Sequence, residues 1–207
     1  MVIGIALGAM SWWFDRMPIH TPLIVLVAMA NAGGPWLVAA FLAGSRMPQL
    51  RHGALAGFVA LAIADAVYYA VMAAGGQMAD VAQQAAVVWL AAAAVAGPAF
   101  GAAGSLWASG IDRRRVAGVA ILAGGLLAEA AYRFVQLEAW DGIDLARTSM
   151  QVVVVDAAVA VALPLLLLHR RPWGPAYATS IGLGIGGLGA ISVAMFAIQS
   201  VLFGGPV

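Results

Sequence analysis

Long apolar runs separated by short polar punctuation dominate the chain. A helix that crosses a bilayer needs about 20 mostly apolar residues. Seven stretches read as such helices: 2–17, 21–44, 53–75, 84–108, 116–136, 148–168 and 175–203. The first is short and runs into Trp12, Trp13, Asp15 and Arg16. It has neither a basic leader nor a small-residue cleavage site, so it reads as a retained helix and not as a signal peptide. The second is interrupted by Asn31, Gly33, Gly34 and Pro35, which equally fits a short outer segment followed by a helix. The pattern thus predicts an all-α integral membrane bundle of seven helices, or six, forming a single transmembrane helical domain over 1–207. All connections are short, with no room for a second, soluble domain.

Composition agrees. Of 207 residues, 64% are hydrophobic and only 9% charged, against roughly 25% charged in soluble chains. Mean hydropathy is +0.97. The net charge of +1 argues against nucleic acid as a partner. All ten basic residues are arginine, so a lysine Schiff base, and with it a retinal pigment, is excluded. The absence of cysteine excludes disulfides, thiolate metal sites and cysteine nucleophiles.

The arginines also orient the chain. Arg46 and Arg51, then Arg113, Arg114 and Arg115, then Arg170 and Arg171 occupy three alternate loops, whereas the opposite loops hold Asp80, Glu138, Asp141 and Asp144. By the positive-inside rule the arginine loops face the cytoplasm, which predicts a multi-pass protein of the inner membrane. With seven spans the N-terminus lies inside.

An internal helix-hairpin repeat is visible. Gly34-Pro35 opens a helix that ends at an arginine turn, and the next helix carries Asp65-Ala66-Val67-Tyr68. Gly97-Pro98 reads as the opening of an equivalent helix, followed by one carrying Glu129-Ala130-Ala131-Tyr132. Gly4 and Gly8, Gly97 and Gly101, and Gly182 and Gly186 are small-xxx-small pairs expected to let helices approach closely. The run from Gly184 to Gly189 spells a dinucleotide fingerprint, but that motif needs a preceding strand and here lies in a membrane helix.

Three acids do not fit a packing account: Asp65, Glu129 and Asp156. A charge at mid-bilayer costs several kcal/mol, roughly 2.5–3.5 for Asp on insertion scales. Counted from the predicted helix ends, all three lie about 18–20 Å from the inner side, in one layer of the outer half. Asp65, Tyr68 and Tyr69 share one helix face, and Glu129, Tyr132 and Arg133 repeat the spacing. Arg133 is placed to pair with Glu129. Gln151, Asn31, Trp36 and Trp89 reach the same level from other helices. The implied object is an acid-bearing pocket lined with aromatic rings; the plain alternative is that each acid is structural glue between helices. Trp12, Trp13, Trp107, Trp140 and Trp173 fall near interfaces, where aromatic belts are expected. Asp15 beside Arg16 reads as an exposed pair at a helix end or as a roof over the pocket. His20, His52 and His169 sit in or beside loops on both sides, so no metal site is expected.

A carboxyl in an apolar, water-poor site favours its neutral form and is suited to protonate an alkene or epoxide. Aromatic faces stabilise a developing carbocation, by about 2 kcal/mol each when desolvated. This is the logic of protonation-initiated terpene cyclisation, and it requires no cofactor. A prenylated, lipid-soluble substrate would enter from the bilayer, with membrane lipids as the other partner. No Asp-rich diphosphate motif is present. In this reading Asp65 is the proton donor and Glu129 its partner, with Asp156 and Arg133 tuning the acids and Tyr68, Tyr69 and Tyr132 lining the cation's path. The alternative is a small-solute binding or transport subunit using the same pocket; a structural or accessory membrane protein is a third option. A homo-oligomer stays open.

Several stretches carry a resemblance. Asn31 to Gly44, Gly97 to Trp107, Ala128 to Tyr132 and Ala162 to Leu168 are similar to the signature stretches of an uncharacterised multi-pass membrane family of high-GC actinobacteria. That likeness spans most of the chain, and its motifs are structural in type. In size, span number and acid-plus-aromatic pocket the chain also resembles the small bacterial membrane-bound terpene cyclases of the drimentine (indole-sesquiterpenoid) type. The first resemblance implies that Glu129 fits its family's pattern, whereas an acid at Asp65 is a feature of this subgroup. The second implies a cofactor-independent cyclase.

Overall fold

A computed structural model describes residues 1–17, 28–29, 32–76, 80–135, 143–168, 174–187 and 189. The described residues are helical: α1 (Val2–Asp15), α2 (Gly33–Gly44), α3 (Leu50–Ala74), α4 (Asp80–Ala108), α5 (Asp112–Val135) and α6 (Ile143–Leu167), then α7 (174–187). Among the described residues four segments, Leu50–Ala74, Ala82–Ala108, Asp112–Val135 and Met150–Leu167, are long and apolar enough to cross a membrane.

These account for four of the seven or six spans predicted. α1 has 14 residues and α2 has 12, giving about 21 Å and 18 Å, short of a bilayer core of about 30 Å. α2 begins only at Gly33 because Pro35 has no N–H and suits the first turn of a helix, not its middle. The expected interruption of the second apolar run is therefore a true helix start. Most of the predicted last span, from 190 onward, lies outside the described residues.

Backbone contacts at glycine hold the bundle together. α3 and α4 run antiparallel, with Gly57 against the carbonyl of Gly97 and Gly101 against that of Gly53. α1 lies parallel to α3, with Gly4 on the carbonyl of Ala60 and Gly8 on that of Ala64. Small residues fill much of the core, with Ala40, Ala64, Ala103, Ala120 and Ala123 fully buried alongside Phe41, Leu122 and Leu126. In lipid, where apolar burial gives little net drive, such close van der Waals contact is the main source of helix association. Other large side chains point outward, as at Val95 (75% exposed), Val87 and Leu166.

Two expectations from the glycine pattern need correcting. Gly97-Pro98 does not open a helix, because α4 runs through Pro98 without a break. Gly97 packed on Phe58, and Gly101 on Gly57, hold both halves of α4 along α3, and membrane helices tolerate such a proline. The Gly34 and Gly97 steps are thus not structurally equivalent. In α7 the pair Gly182 and Gly186 meets none of the described residues, and the contact with α5 runs instead through Gly184 beside Leu127 and Gly187 beside Ala128.

α2 is the hub, packing against α1, α3, α4 and α5. Its C-terminal end is fastened by Ser105 of α4, whose hydroxyl lies 3.0 Å from the carbonyl oxygens of both Gly44 and Met47. Its N-terminal end carries the polar site.

Candidate functional site

Ala32 precedes α2 in extended conformation and offers no side-chain cap. The first N–H groups of a helix have no partner within it and carry its positive end. Here the cap comes from another helix. The Gly33 N–H donates to Glu129 Oε1 of α5 at 2.5 Å, and Arg133 Nε donates to the same oxygen at 3.1 Å along the helix. The pairing of Arg133 with Glu129 expected from their spacing is present. Next to it, a Cβ at Gly34 would stand 2.6 Å from Asp156 Oδ1 of α6, and one at Gly33 would stand 2.8 Å from Glu129 Oε2. A side chain at either position would push a carboxyl aside. The sequence signal was the Gly-Gly-Pro step itself, which reads as a helix break until the two carboxyls are seen against it.

The third acid lies to another side of the same helix start. Asp65 of α3 lines a cavity of about 140 Å³ together with Ala32, Trp36, Tyr68, Tyr69 and Trp89. Trp36 of α2 stacks on Trp89 of α4, with ring centroids 6.5 Å apart and planes inclined by 23°. Tyr68 and Tyr69 meet edge to face at 4.9 Å. The three successive residues Ala32, Gly33 and Gly34 therefore adjoin the surroundings of Asp65, Glu129 and Asp156 in turn. All three acids are buried, at 5%, 8% and 1% exposure, so none faces lipid. They are not gathered into one pocket: only Asp65 opens onto the cavity, and the other two brace the start of α2.

Asp15, at the C-terminal end of α1, accepts a hydrogen bond from the Tyr68 hydroxyl. This bond ties the end of α1 to Tyr68 of the cavity lining. Beside it, the Arg16 guanidinium lies 4.3 Å from the ring centre of Trp12.

Of the remaining predicted residues, Tyr132 and Gln151 are partly buried and do not line the cavity. Asn31 lies outside the described residues, as do Trp140, Trp173, His20 and His169. Trp107 packs on Phe41 and supports the core. Buried polar atoms without a hydrogen-bond partner among the described residues include Asp65 Oδ1, Glu129 Oε2, Gln151 Oε1 and Asp156 Oδ2. Such atoms are costly in an apolar interior and mark places where a proton or ligand group is accommodated. Among the described residues no group of three or more His, Asp or Glu side chains is placed to hold a metal ion.

No match is found among curated proteins or among solved structures. The motifs that run from the first helix through the glycine seams to α7 nevertheless define a family: the model of the family of unknown function DUF6518 matches residues 1–200, and the chain belongs to it.

Proposed function

We propose that this protein is a membrane-embedded, cofactor-independent terpene cyclase in which Asp65 protonates a prenylated, lipid-soluble substrate. One observation carries the reading: of the three buried acids, Asp65 alone opens onto a cavity, its buried Oδ1 has no partner among the described residues, and four aromatic rings line the cavity with it. Asp65 gives its proton to a terminal alkene, which becomes a tertiary cation. The next double bond closes on that cation, and loss of a proton from the product cation restores the acid, so the net change is an isomerisation. The rings of Trp36, Trp89, Tyr68 and Tyr69 stabilise the cation through their faces. Trp89 is half exposed on the outside of the bundle, which supports entry from the bilayer. Glu129, Asp156 and Arg133 support the site by fixing the start of α2, in place of direct contact with substrate.

The same reading puts the chain in the inner membrane, with Arg46, Arg51, Arg113, Arg114 and Arg115 facing the cytoplasm.

The test is direct. Membranes bearing the wild type or Asp65→Asn are incubated with a farnesyl compound or a prenylated indole, and products are resolved by mass spectrometry and NMR. An isomeric cyclic product that Asp65→Asn abolishes supports the assignment; no isomer from any polyprenyl substrate overturns it. The cavity volume favours a second reading, since drug-sized ligands occupy about 300–1,000 Å³. A small-solute binding or transport subunit would use the same pocket and would show saturable solute uptake.

A further inference from the structure

We infer that the Asp65 cavity is a site for an organic cation, an ammonium group bearing small alkyl substituents. The inference rests on the cavity being a ligand site, as both readings above hold, and it adds the charge and size of what is bound.

The three buried carboxyls differ in what faces them. Glu129 has the Arg133 guanidinium and the Gly33 N–H, and Asp156 abuts the start of α2 at Gly34. Asp65 has neither: the lining of its cavity contains no arginine and no histidine, and its buried Oδ1 has no donor among the described residues. Of the two tyrosines in the lining, Tyr68 donates its hydroxyl to Asp15. Among the described residues an ionised Asp65 therefore lacks a countercharge, and most of the remaining wall is made of rings. A carboxylate at the base of an aromatic box is the arrangement that recognises alkylammonium groups, because ring faces attract a diffuse cation without hydrogen bonding to it. The stacked pair Trp36 and Trp89 and the crossed pair Tyr68 and Tyr69 supply those faces. About 140 Å³ accommodates a compact cationic head while any longer apolar body extends past the half-exposed Trp89.

Cyclisation requires Asp65 neutral, whereas this inference requires it ionised, so the two are separable by experiment. The full chain in lipid nanodiscs is titrated calorimetrically with choline and with 3,3-dimethyl-1-butanol, its uncharged carbon isostere. The expected result is saturable binding of choline and binding of the isostere weaker by about tenfold or more. Asp65→Asn should weaken choline by a similar factor. Trp89→Ala, at a half-exposed rim position where folding is spared, should weaken it severalfold, and Asp112→Asn at the exposed start of α5 should leave it unchanged. Equal binding of the two probes overturns the cation assignment and leaves an apolar substrate standing. No binding of choline to the folded wild type overturns it too, as does undiminished binding by both cavity variants. Choline binding with no isomer in the product assay retains it and removes the cyclase.

Discussion

The backbone N–H of Gly33 and the Oε1 atom of Glu129, 96 residues apart in the chain, meet at 2.5 Å. Through this bond α5 caps a helix that has no cap of its own, and Arg133 holds the carboxylate in place from the next turn. Glu129→Ala leaves the N–H unpaired and removes a negative charge from the positive end of α2. Losing a buried partner costs about 1–3 kcal/mol. Glu129→Gln keeps an oxygen acceptor and should cost less. Thermal unfolding in detergent, followed by circular dichroism, should rank wild type above Glu129→Gln and Glu129→Gln above Glu129→Ala.

Glycines of identical sequence spacing should respond in opposite ways. A Cβ at Gly101 runs into the backbone of Gly53 and Gly57, whereas one at Gly182 meets nothing within 4 Å among the described residues. Gly101→Leu should therefore abolish folded protein. Gly101→Ala should lower stability by about 1–3 kcal/mol, as overpacking does. Gly182→Leu should behave as wild type. Yield after size-exclusion chromatography and melting temperature are the readouts.

Ser105 spans the turn between α2 and α3 through its hydroxyl, near the carbonyls of Gly44, Met47 and Gln49. Removing one buried donor is worth about 1 kcal/mol. Ser105→Ala should lower the melting temperature modestly and leave any cavity-dependent property unchanged, since the cavity sits at the opposite end of α2.

Because the chain contains no cysteine, single cysteines report its sidedness without background. Ser109→Cys stands at the exposed arginine end and Ala74→Cys at the exposed far end of α3. A membrane-impermeant maleimide applied to intact cells should label Ala74→Cys at once and Ser109→Cys only after permeabilisation. The reverse result would invert the orientation.

Much of this arrangement is legible from residue order alone, and the boundary of legibility is physical. Helix positions follow from apolar run length, and the choice of Trp36 and Trp89 over the interfacial tryptophans follows from depth, which counting residues along a helix supplies. Asp65, Glu129 and Asp156 also stand out without coordinates, because a lipid-spanning helix has no other reason to carry them. What residue order does not supply is rotation between helices. Asp65 and Glu129 have matching neighbours one turn on, yet one opens onto a cavity and the other caps α2. Pro98 misleads for a related reason: proline breaks a helix only when nothing holds its two halves in line, and here α3 does so. The pair Gly182 and Gly186 has the right spacing on a face that the bundle does not use.

α2 is fastened at both ends, by Glu129 at Gly33 and by Ser105 at Gly44. The rise between those two points, about 17 Å, acts as a ruler that sets how far the buried acid layer stands from the arginine-lined rim. Adding or deleting one residue within it would shift one end by about 1.5 Å and turn it by about 100°. Ala32, Gly33 and Gly34 would then each present a different backbone position to its acid, so a single length change in α2 would disturb Asp65, Glu129 and Asp156 together.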